Sequence, residues 1–178
     1  MSSSIFTMNK LSKYLYLQTL TILGGTIFAY YNVFLDFKRY YAIESTIFKF
    51  TDCAVTNPLT ISCFYGAFAF LLSLLLSLYI LKIHSKNPVK SFKYQKYLVY
   101  LLIFGTLFGF ANVGYEYYKF LNSSTGQYFG CTGVLTESPL QTPCFYGSVL
   151  FTLSLVISLV CKHNFRIMLD ENTKNLSD

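Results

Sequence analysis

The chain has little charge, and this shortage narrows the possible classes of protein before any motif is considered. Only 12% of its 178 residues are charged, whereas 53% are hydrophobic. A soluble domain usually has about 25% charged residues, so the composition excludes an ordinary soluble domain and indicates an integral membrane protein. Tryptophan is absent, while tyrosine occurs 16 times. Tyrosine is therefore expected to supply the aromatic belt found at membrane interfaces.

Acidic residues are scarcer than basic ones, which leaves a net charge of +6. The basic residues flank the apolar runs of the chain and do not form a separate soluble face. That placement is typical of the cytoplasmic edges of membrane proteins. We therefore expect the lipid bilayer as the partner of this chain, and no nucleic acid.

Residues that support cofactor chemistry are few. The two histidines, His84 and His163, have no His, Cys or carboxylate at metal-ligand spacing, so no metal site is predicted. The sequence also lacks a glycine-rich phosphate-binding loop and a nucleophile elbow. Asp36 and Glu116 lie at the ends of apolar runs, where charges are expected to be solvated. No cofactor is expected, except a quinone under the redox hypothesis described below.

Four apolar runs are present, and each is compatible with a helix that crosses a bilayer core of about 30 Å. They are Leu15–Leu35, Cys63–Ile80, Tyr97–Tyr115 and Cys144–Cys161. The sequence thus predicts an all-α integral membrane protein, with one four-helix domain over residues 1–178 and a cytoplasmic tail over 164–178. The first run has a counterpart later in the chain, so we interpret it as a retained helix and not as a cleaved signal peptide.

The distribution of Lys and Arg predicts the orientation of the four helices. The N-terminal segment, the middle loop and the tail hold ten of the fourteen basic residues. The two loops that contain cysteine hold the other four, together with five acidic residues. By the positive-inside rule, both termini and the middle loop are expected in the cytoplasm, and the cysteine loops on the outer side.

One segment of the chain occurs twice. Pro58–Gly66 and Pro139–Gly147 both end in Cys-Phe-Tyr-Gly, and each leads into an apolar run. The first run aligns with the third, and the second aligns with the fourth. The matched pairs include Gly25/Gly105, Phe28/Phe108, Asn32/Asn112, Phe70/Phe151, Ser73/Ser154 and Ser77/Ser158. The sequence therefore predicts a parallel internal repeat of two tandem helical hairpins, residues 14–83 and 96–163, related by a pseudo-two-fold axis along the membrane normal.

Two matched asparagines, Asn32 and Asn112, lie inside apolar runs. An amide in hydrocarbon needs a partner, so each is expected to bond across the pseudo-two-fold axis or to a neighbouring helix. This intramembrane polar pair is interpreted either as an interhelical contact or as the polar lining of a small cavity. The serines at positions 73, 77, 154 and 158 recur at helical spacing and are interpreted as a close-packing stripe.

The cysteines predict two outer-side disulfides. Four cysteines allow three pairings, and the repeat selects the pairing within each hairpin, Cys53 with Cys63 and Cys131 with Cys144. Disulfides persist in oxidising compartments, which agrees with the orientation. We interpret both bonds as structural staples of the outer loops. Cys161 stands alone and is expected to behave as a small apolar residue.

A redox interpretation of the same cysteines remains open. Thr142-Pro143-Cys144 predicts a helix N-cap, a first-turn proline and a cysteine at the positive end of a helix dipole, which favours the reactive thiolate. Nearby aromatic residues are interpreted as an interfacial belt or, under the redox hypothesis, as the wall of a quinone site. They are Phe64, Tyr65, Phe145, Tyr146, Tyr30, Tyr31, Tyr115 and Tyr117.

Four spans, outward-facing cysteine pairs and a cysteine at a helix start resemble the bacterial disulfide-bond formation protein B and vitamin K epoxide reductase. The resemblance implies a quinone-linked membrane thiol–disulfide oxidoreductase with an outer-side client. Its candidate catalytic residues here are Cys53, Cys63, Cys131 and Cys144. Those families carry Cys-x-x-Cys at a helix start, whereas glycines, at positions 66 and 147, occupy the place of the second cysteine in this chain.

The sequence favours a non-catalytic structural, accessory or binding role for a membrane protein that presents two stapled loops to a membrane-protein partner, a client or lipid. The quinone-linked oxidoreductase is the alternative from a different class. A small carrier or channel that uses the asparagine pair is a weaker alternative. A redox-active cysteine, a bound quinone or a continuous polar pore would separate the three.

Overall fold

Four long helices make up most of the chain. In the computed structural model they are α1 (Ser2–Glu44), α2 (Ser62–Ile83), α3 (Pro88–Leu121) and α4 (Pro143–Lys174). The structure describes residues 2–44, 62–122, 128–129, 135–136, 140 and 142–174, with side chains described for 11–38, 64–122, 140 and 142–170. Two short strands, β1 (Tyr128–Phe129) and β2 (Leu135–Thr136), lie between α3 and α4.

The prediction of four helices that are long and apolar enough to span a membrane is confirmed. All four helices contain a stretch that is long and apolar enough to cross a membrane. The outer surface of the described helices is apolar along their middle sections, as shown by Leu20 at 65% exposure, Leu75 at 56% and Leu107 at 65%. A soluble helix normally presents a polar outer face. These helices are therefore suited to contact lipid.

The helices are longer than the apolar runs. α1 has 43 residues, α3 has 34 and α4 has 32, whereas about 20 residues cross a bilayer core. Part of the loop expected after position 35, most of the basic middle loop and much of the tail are helical. Charge marks where an apolar run ends, but Lys and Glu are good helix formers, so the helix itself continues past that point.

The loop between α3 and α4 contains a small element that the sequence analysis did not predict. β1 and β2 pair antiparallel, with Tyr128 opposite Thr136 and Phe129 opposite Leu135. The strands are too short to show the alternating pattern from which a strand is recognised. They do not change the helical character of the fold.

The helices form an antiparallel bundle in the cyclic order α1, α2, α3, α4, and each helix packs against two neighbours. α1 and α3 are therefore diagonal partners, as are α2 and α4. A tight connection over residues 84–87 reverses the chain between α2 and α3. Asn87 caps α3 by accepting a hydrogen bond from the Lys90 backbone N–H at 3.0 Å, and Pro88 occupies the first turn.

The two ends of the bundle differ in composition. The cysteine end contains the last turns of α1 and α3 and the first turns of α2 and α4, including positions 63 and 144. The basic end contains the opposite ends of the helices, including residues 82–96 and 162–166.

Candidate functional site

A row of four residues crosses the middle of the bundle. The rings of Phe70 and Phe151, on the diagonal helices α2 and α4, stack with their centroids 3.7 Å apart and their planes at 22°. Gly25 of α1 lies against the Phe70 ring, and Gly105 of α3 lies against the Phe151 ring. Because both glycines lack a Cβ, the helices that carry them approach the rings closely. This aromatic row fills the axis of the bundle.

A small central cavity lies beside the aromatic row, toward the cysteine end. Its volume is about 50 Å³, and all four helices contribute to its wall. A cavity can hold a water molecule from about 10–15 Å³, so this one has room for a few water-sized groups. Among the described residues that line it, none is charged. The cavity is therefore suited to an uncharged polar group.

Both predicted asparagines line the central cavity, but their bonding differs from the prediction. Asn32 Nδ2 donates to the Phe28 carbonyl, and Asn112 Nδ2 donates to the Phe108 carbonyl, both at 2.8 Å. The prediction of a bond across the axis or to a neighbouring helix was wrong, because each amide instead donates one hydrogen bond to a carbonyl of its own helix. The Oδ1 acceptor and the second N–H of each residue remain for a group in the cavity.

A lateral groove between α2 and α3 adjoins the central cavity. Its volume is about 370 Å³. Part of its wall is shared with the cavity, and the shared residues are Gly66, Gly105, Phe108, Asn112 and Phe151. The rest of the wall is Tyr65, Ala69 and Phe104. Asn112 thus lies where the two spaces meet.

The small side chain of Ala69 explains the space in the groove. When the second run is aligned with the fourth, Leu150 takes the position of Ala69. Leu150 is partly buried and packs against the core cluster. Ala69 lacks the additional carbons of leucine, which leaves the groove between α2 and α3 open.

The start of α4 has the predicted arrangement. The helix begins at Pro143, and the Phe145 backbone N–H donates to Thr142 Oγ1 at 3.4 Å, which confirms Thr142 as the cap. Cys144 follows and lines the central cavity. Ser148 Oγ donates to the Cys144 carbonyl at 2.7 Å, one turn later. Cys144 therefore lines the same central cavity as both asparagines.

No family model, curated protein or solved structure matches this chain. The function proposed below rests on the contacts, cavities and charges of this chain.

The outward position of several aromatic residues favours a belt over a quinone wall. Tyr31 is 61% exposed, Tyr115 58% and Tyr146 50%, and none of these rings lines the central cavity. Tyr65 is the member of the predicted set that lines the lateral groove. Outward tyrosines near helix ends suit an interfacial belt.

The predicted disulfides stay predictions. Cys53 and Cys131 lie outside the described residues, and only the helical backbone is described at Cys63. Cys161, by contrast, is fully buried in the core cluster, as expected for a small apolar residue.

Two acidic residues are placed differently from the prediction. Asp36 and Glu116 were expected to be solvated at helix ends, but they are only 7% and 2% exposed. α1 continues to Glu44 and α3 to Leu121. Both carboxylates therefore lie within continuous helices, and their side chains are buried.

The structure reveals a polar cluster nearer the basic end that the sequence analysis missed. Gln18 of α1 and Gln95 of α3 are fully buried and face each other across the axis. Gln95 Nε2 donates to Gln18 Oε1 at 2.7 Å, and Gln18 Nε2 donates back to Gln95 Oε1 at 3.4 Å. Gln18 Nε2 also donates to Ser77 Oγ at 3.2 Å, and Gln95 Nε2 donates to the Ser158 carbonyl at 3.0 Å. This glutamine pair therefore ties all four helices together.

The four serines of the predicted stripe lie in the interior of the bundle. Ser73, Ser77, Ser154 and Ser158 are all fully buried. Ser73 Oγ donates to the carbonyl of Ala69 on its own helix at 2.8 Å. Small side chains at these positions let the helices approach closely.

Proposed function

We propose that this protein is a non-catalytic, four-span membrane protein with a binding role, and that its ligand is an uncharged amphipathic molecule that enters from the bilayer. The observation that carries the proposal is the uncharged central cavity, which contains two amides and adjoins a groove between two apolar helices. An uncharged polar head would occupy the cavity. An apolar body would lie in the groove.

The chemistry of the cavity favours a head with a hydroxyl group. Each asparagine offers an acceptor and one remaining donor, and a hydroxyl both donates and accepts. A charged head would have no counter-charge among the described lining residues and would lose its hydration, which is costly. The groove wall of Tyr65, Ala69 and Phe104 suits a hydrocarbon chain.

Two tandem hairpins remain our proposal for this architecture. In the alignment that pairs Gly25 with Gly105, every buried residue of α3 matches a buried residue of α1. In the alignment that pairs Phe70 with Phe151, the buried residues of α2 all match buried residues of α4. Gly25 faces Phe70 as Gly105 faces Phe151. Equivalent contacts at matched positions support a pseudo-two-fold axis through the aromatic row.

The orientation completes the proposal. We place the basic end in the cytoplasm, since Lys and Arg concentrate there. The cysteine end, the central cavity and both loops with predicted staples then lie toward the outer side. A membrane-protein partner or a client on that side would meet these loops.

Ligand binding can be tested on the full chain purified in mild detergent. Native mass spectrometry should detect 1,2-dioleoylglycerol on the protein, and Ala69→Leu should remove it because the larger side chain fills the groove. Asn112→Leu should weaken retention by about five- to thirtyfold, the equivalent of about 1–2 kcal/mol of hydrogen bonding. The matched control is Ala111→Leu, the same change as at position 69 but at an exposed position of α3.

Three results would contradict the binding role. Equal retention of dioleoylglycerol by the parent, Ala69→Leu and Asn112→Leu would show that the lipid coats the outside of the bundle. Equal loss in Ala111→Leu would show a general effect on the detergent complex. Retention of dioleoyl phosphatidic acid that is lost in Ala69→Leu and Asn112→Leu would mean that the central cavity accepts charge.

The quinone-linked thiol–disulfide oxidoreductase is the second candidate, because Cys144 lines the same cavity as the asparagines. In that reaction a dithiol becomes a disulfide, and its two electrons and two protons reduce a quinone to a quinol. A quinone retained in place of dioleoylglycerol, together with a mixed disulfide between Cys144 and a client, would make this the leading function. The carrier or channel is less favoured, since the aromatic row and the glutamine pair lie on the axis.

A further inference from the structure

A second cavity lies at the basic end, between α3 and α4, at the opposite end of the bundle from the asparagines. Its volume is about 550 Å³. Three cationic side chains line it, Lys96 from α3 and Lys162 and Arg166 from α4, together with the carboxylate of Asp170. Positive charge therefore exceeds negative charge in its wall.

The cavity combines this charge with an apolar wall. Tyr100 and Leu159 also line it, and they are 63% and 44% exposed on the surface of the bundle. Both lie about one turn closer to the middle of the bundle than Lys96 and Lys162. Lys96 Nζ lies 4.7 Å from the centroid of the Phe92 ring, a cation–π contact that holds it at the cavity. A molecule in this space would meet cations at one end and lipid-facing side chains at the other.

The cations are specific to the second half of the chain. Lys96, Lys162 and Arg166 align with uncharged residues of the first half, which are Tyr16, Leu81 and Ser85 in the same order. The helical architecture therefore does not require charge at these places. The charge at these places is therefore a property of this cavity and not of the repeat.

We propose that this cavity binds the phosphate of an anionic phospholipid from the leaflet at the basic end. Arg166 can hold two phosphate oxygens through its planar guanidinium, while the lysines act as point charges. Basic pockets between membrane helices on the cytoplasmic side suit such headgroups. The acyl chains run along Tyr100 and Leu159. A zwitterionic lipid would bind less tightly, because the cationic group of its own headgroup would lie near the lysines.

The test uses native mass spectrometry of the full chain in mild detergent, with dioleoylphosphatidylglycerol and dioleoylphosphatidylcholine as probes. The parent should retain phosphatidylglycerol preferentially. The double variant Lys162→Gln/Arg166→Gln should bind it about ten- to thirtyfold more weakly, as expected for two cations near a membrane surface. The matched control, Lys90→Gln/Lys93→Gln, removes the same charge at exposed positions of α3 outside the cavity. It should change the affinity by less than about twofold.

The other outcomes would overturn the proposal. Equal losses in the two double variants would mean that only the net charge of this end matters. Equal retention of the two lipids by the parent would remove the preference for an anion. Binding of inorganic phosphate that is lost in Lys162→Gln/Arg166→Gln, without any preference for phosphatidylglycerol, would assign the site to a soluble phosphate compound. Circular dichroism and the thermal midpoint establish that each variant is folded before its affinity is compared.

Discussion

At the scale of single residues, the glutamine pair shows what comparison of the two halves of the chain overlooks. Gln18 matches Leu98, and Gln95 matches Leu15, so neither glutamine has a polar counterpart. The two bond to each other because α1 and α3 are diagonal and both side chains reach the axis. The available signal was an uncharged polar residue within or beside an apolar run. Such residues are candidates for interhelical contacts whether or not the other half of the chain has a polar residue at the matched position.

The glutamine pair is expected to be coupled energetically. Gln18→Leu or Gln95→Leu alone should destabilise the protein by about 1–3 kcal/mol, because the remaining amide is left buried with an unfilled bond. The double variant should cost less than the sum of the single changes, with a coupling of about 0.5–2 kcal/mol. Unfolding in mixed micelles, followed by circular dichroism, measures the three values.

A matched control for this cycle is Asn164→Leu, which removes an exposed amide that bonds its own helix at the Val160 carbonyl. It should change stability by less than about 0.5 kcal/mol. Strict additivity of Gln18→Leu and Gln95→Leu would show that the two amides act independently, each through its contact with a serine.

At the scale of helices, the aromatic row sets how closely the four elements approach. A methyl group added at Gly25 would overlap the Phe70 ring, and one added at Gly105 would lie 2.5 Å from Phe151 Cε1. A single ring would rotate away from such a contact if the space behind it were empty. Here the second ring lies 3.7 Å behind the first and is itself backed by the opposite helix. An added atom is therefore accommodated only when a whole helix moves.

Gly24 and Gly25 are adjacent, so the cost of adding a methyl group against the aromatic row can be measured within one helix. Gly25→Ala should destabilise the protein by about 1–3 kcal/mol, the usual cost of overpacking a close contact. Gly24→Ala should be neutral or stabilising by up to about 1 kcal/mol, because alanine is the better helix former and nothing lies within 4 Å of its added methyl group. Thermal unfolding in the same detergent compares the two.

A second-site change makes the packing explanation specific. Phe151→Leu introduced together with Gly25→Ala should recover part of the lost stability, because the smaller side chain lets Phe70 move back. Equal thermal midpoints for Gly24→Ala and Gly25→Ala would mean that the bundle adjusts freely and that the row does not control helix spacing.

At the scale of the whole molecule, the sequence predicted the number and character of the helices better than their lengths. Hydrophobic runs report what lies in the membrane core, whereas helix ends depend on propensity and packing. Asn32, Asn112 and Cys144 were each singled out from the sequence, yet their shared cavity depends on how the helices pack. Ala69 carried no local signal, because its importance comes from the volume that it leaves empty. The basic cavity likewise required the packing of α3 against α4.

The proposed orientation is the last property that needs a measurement, since it decides which leaflet each of the two proposed lipid sites faces. Ser85, in the turn between α2 and α3, and Asn122, at the end of α3, are both exposed and lie at opposite ends of the bundle. In intact cells, a membrane-impermeant maleimide should label Asn122→Cys above the level of the parent chain. Ser85→Cys should react only after the membrane is permeabilised, because the positive-inside rule places the basic turn in the cytoplasm. The reverse pattern would invert the molecule and place the predicted disulfides in a reducing compartment, where they would not persist.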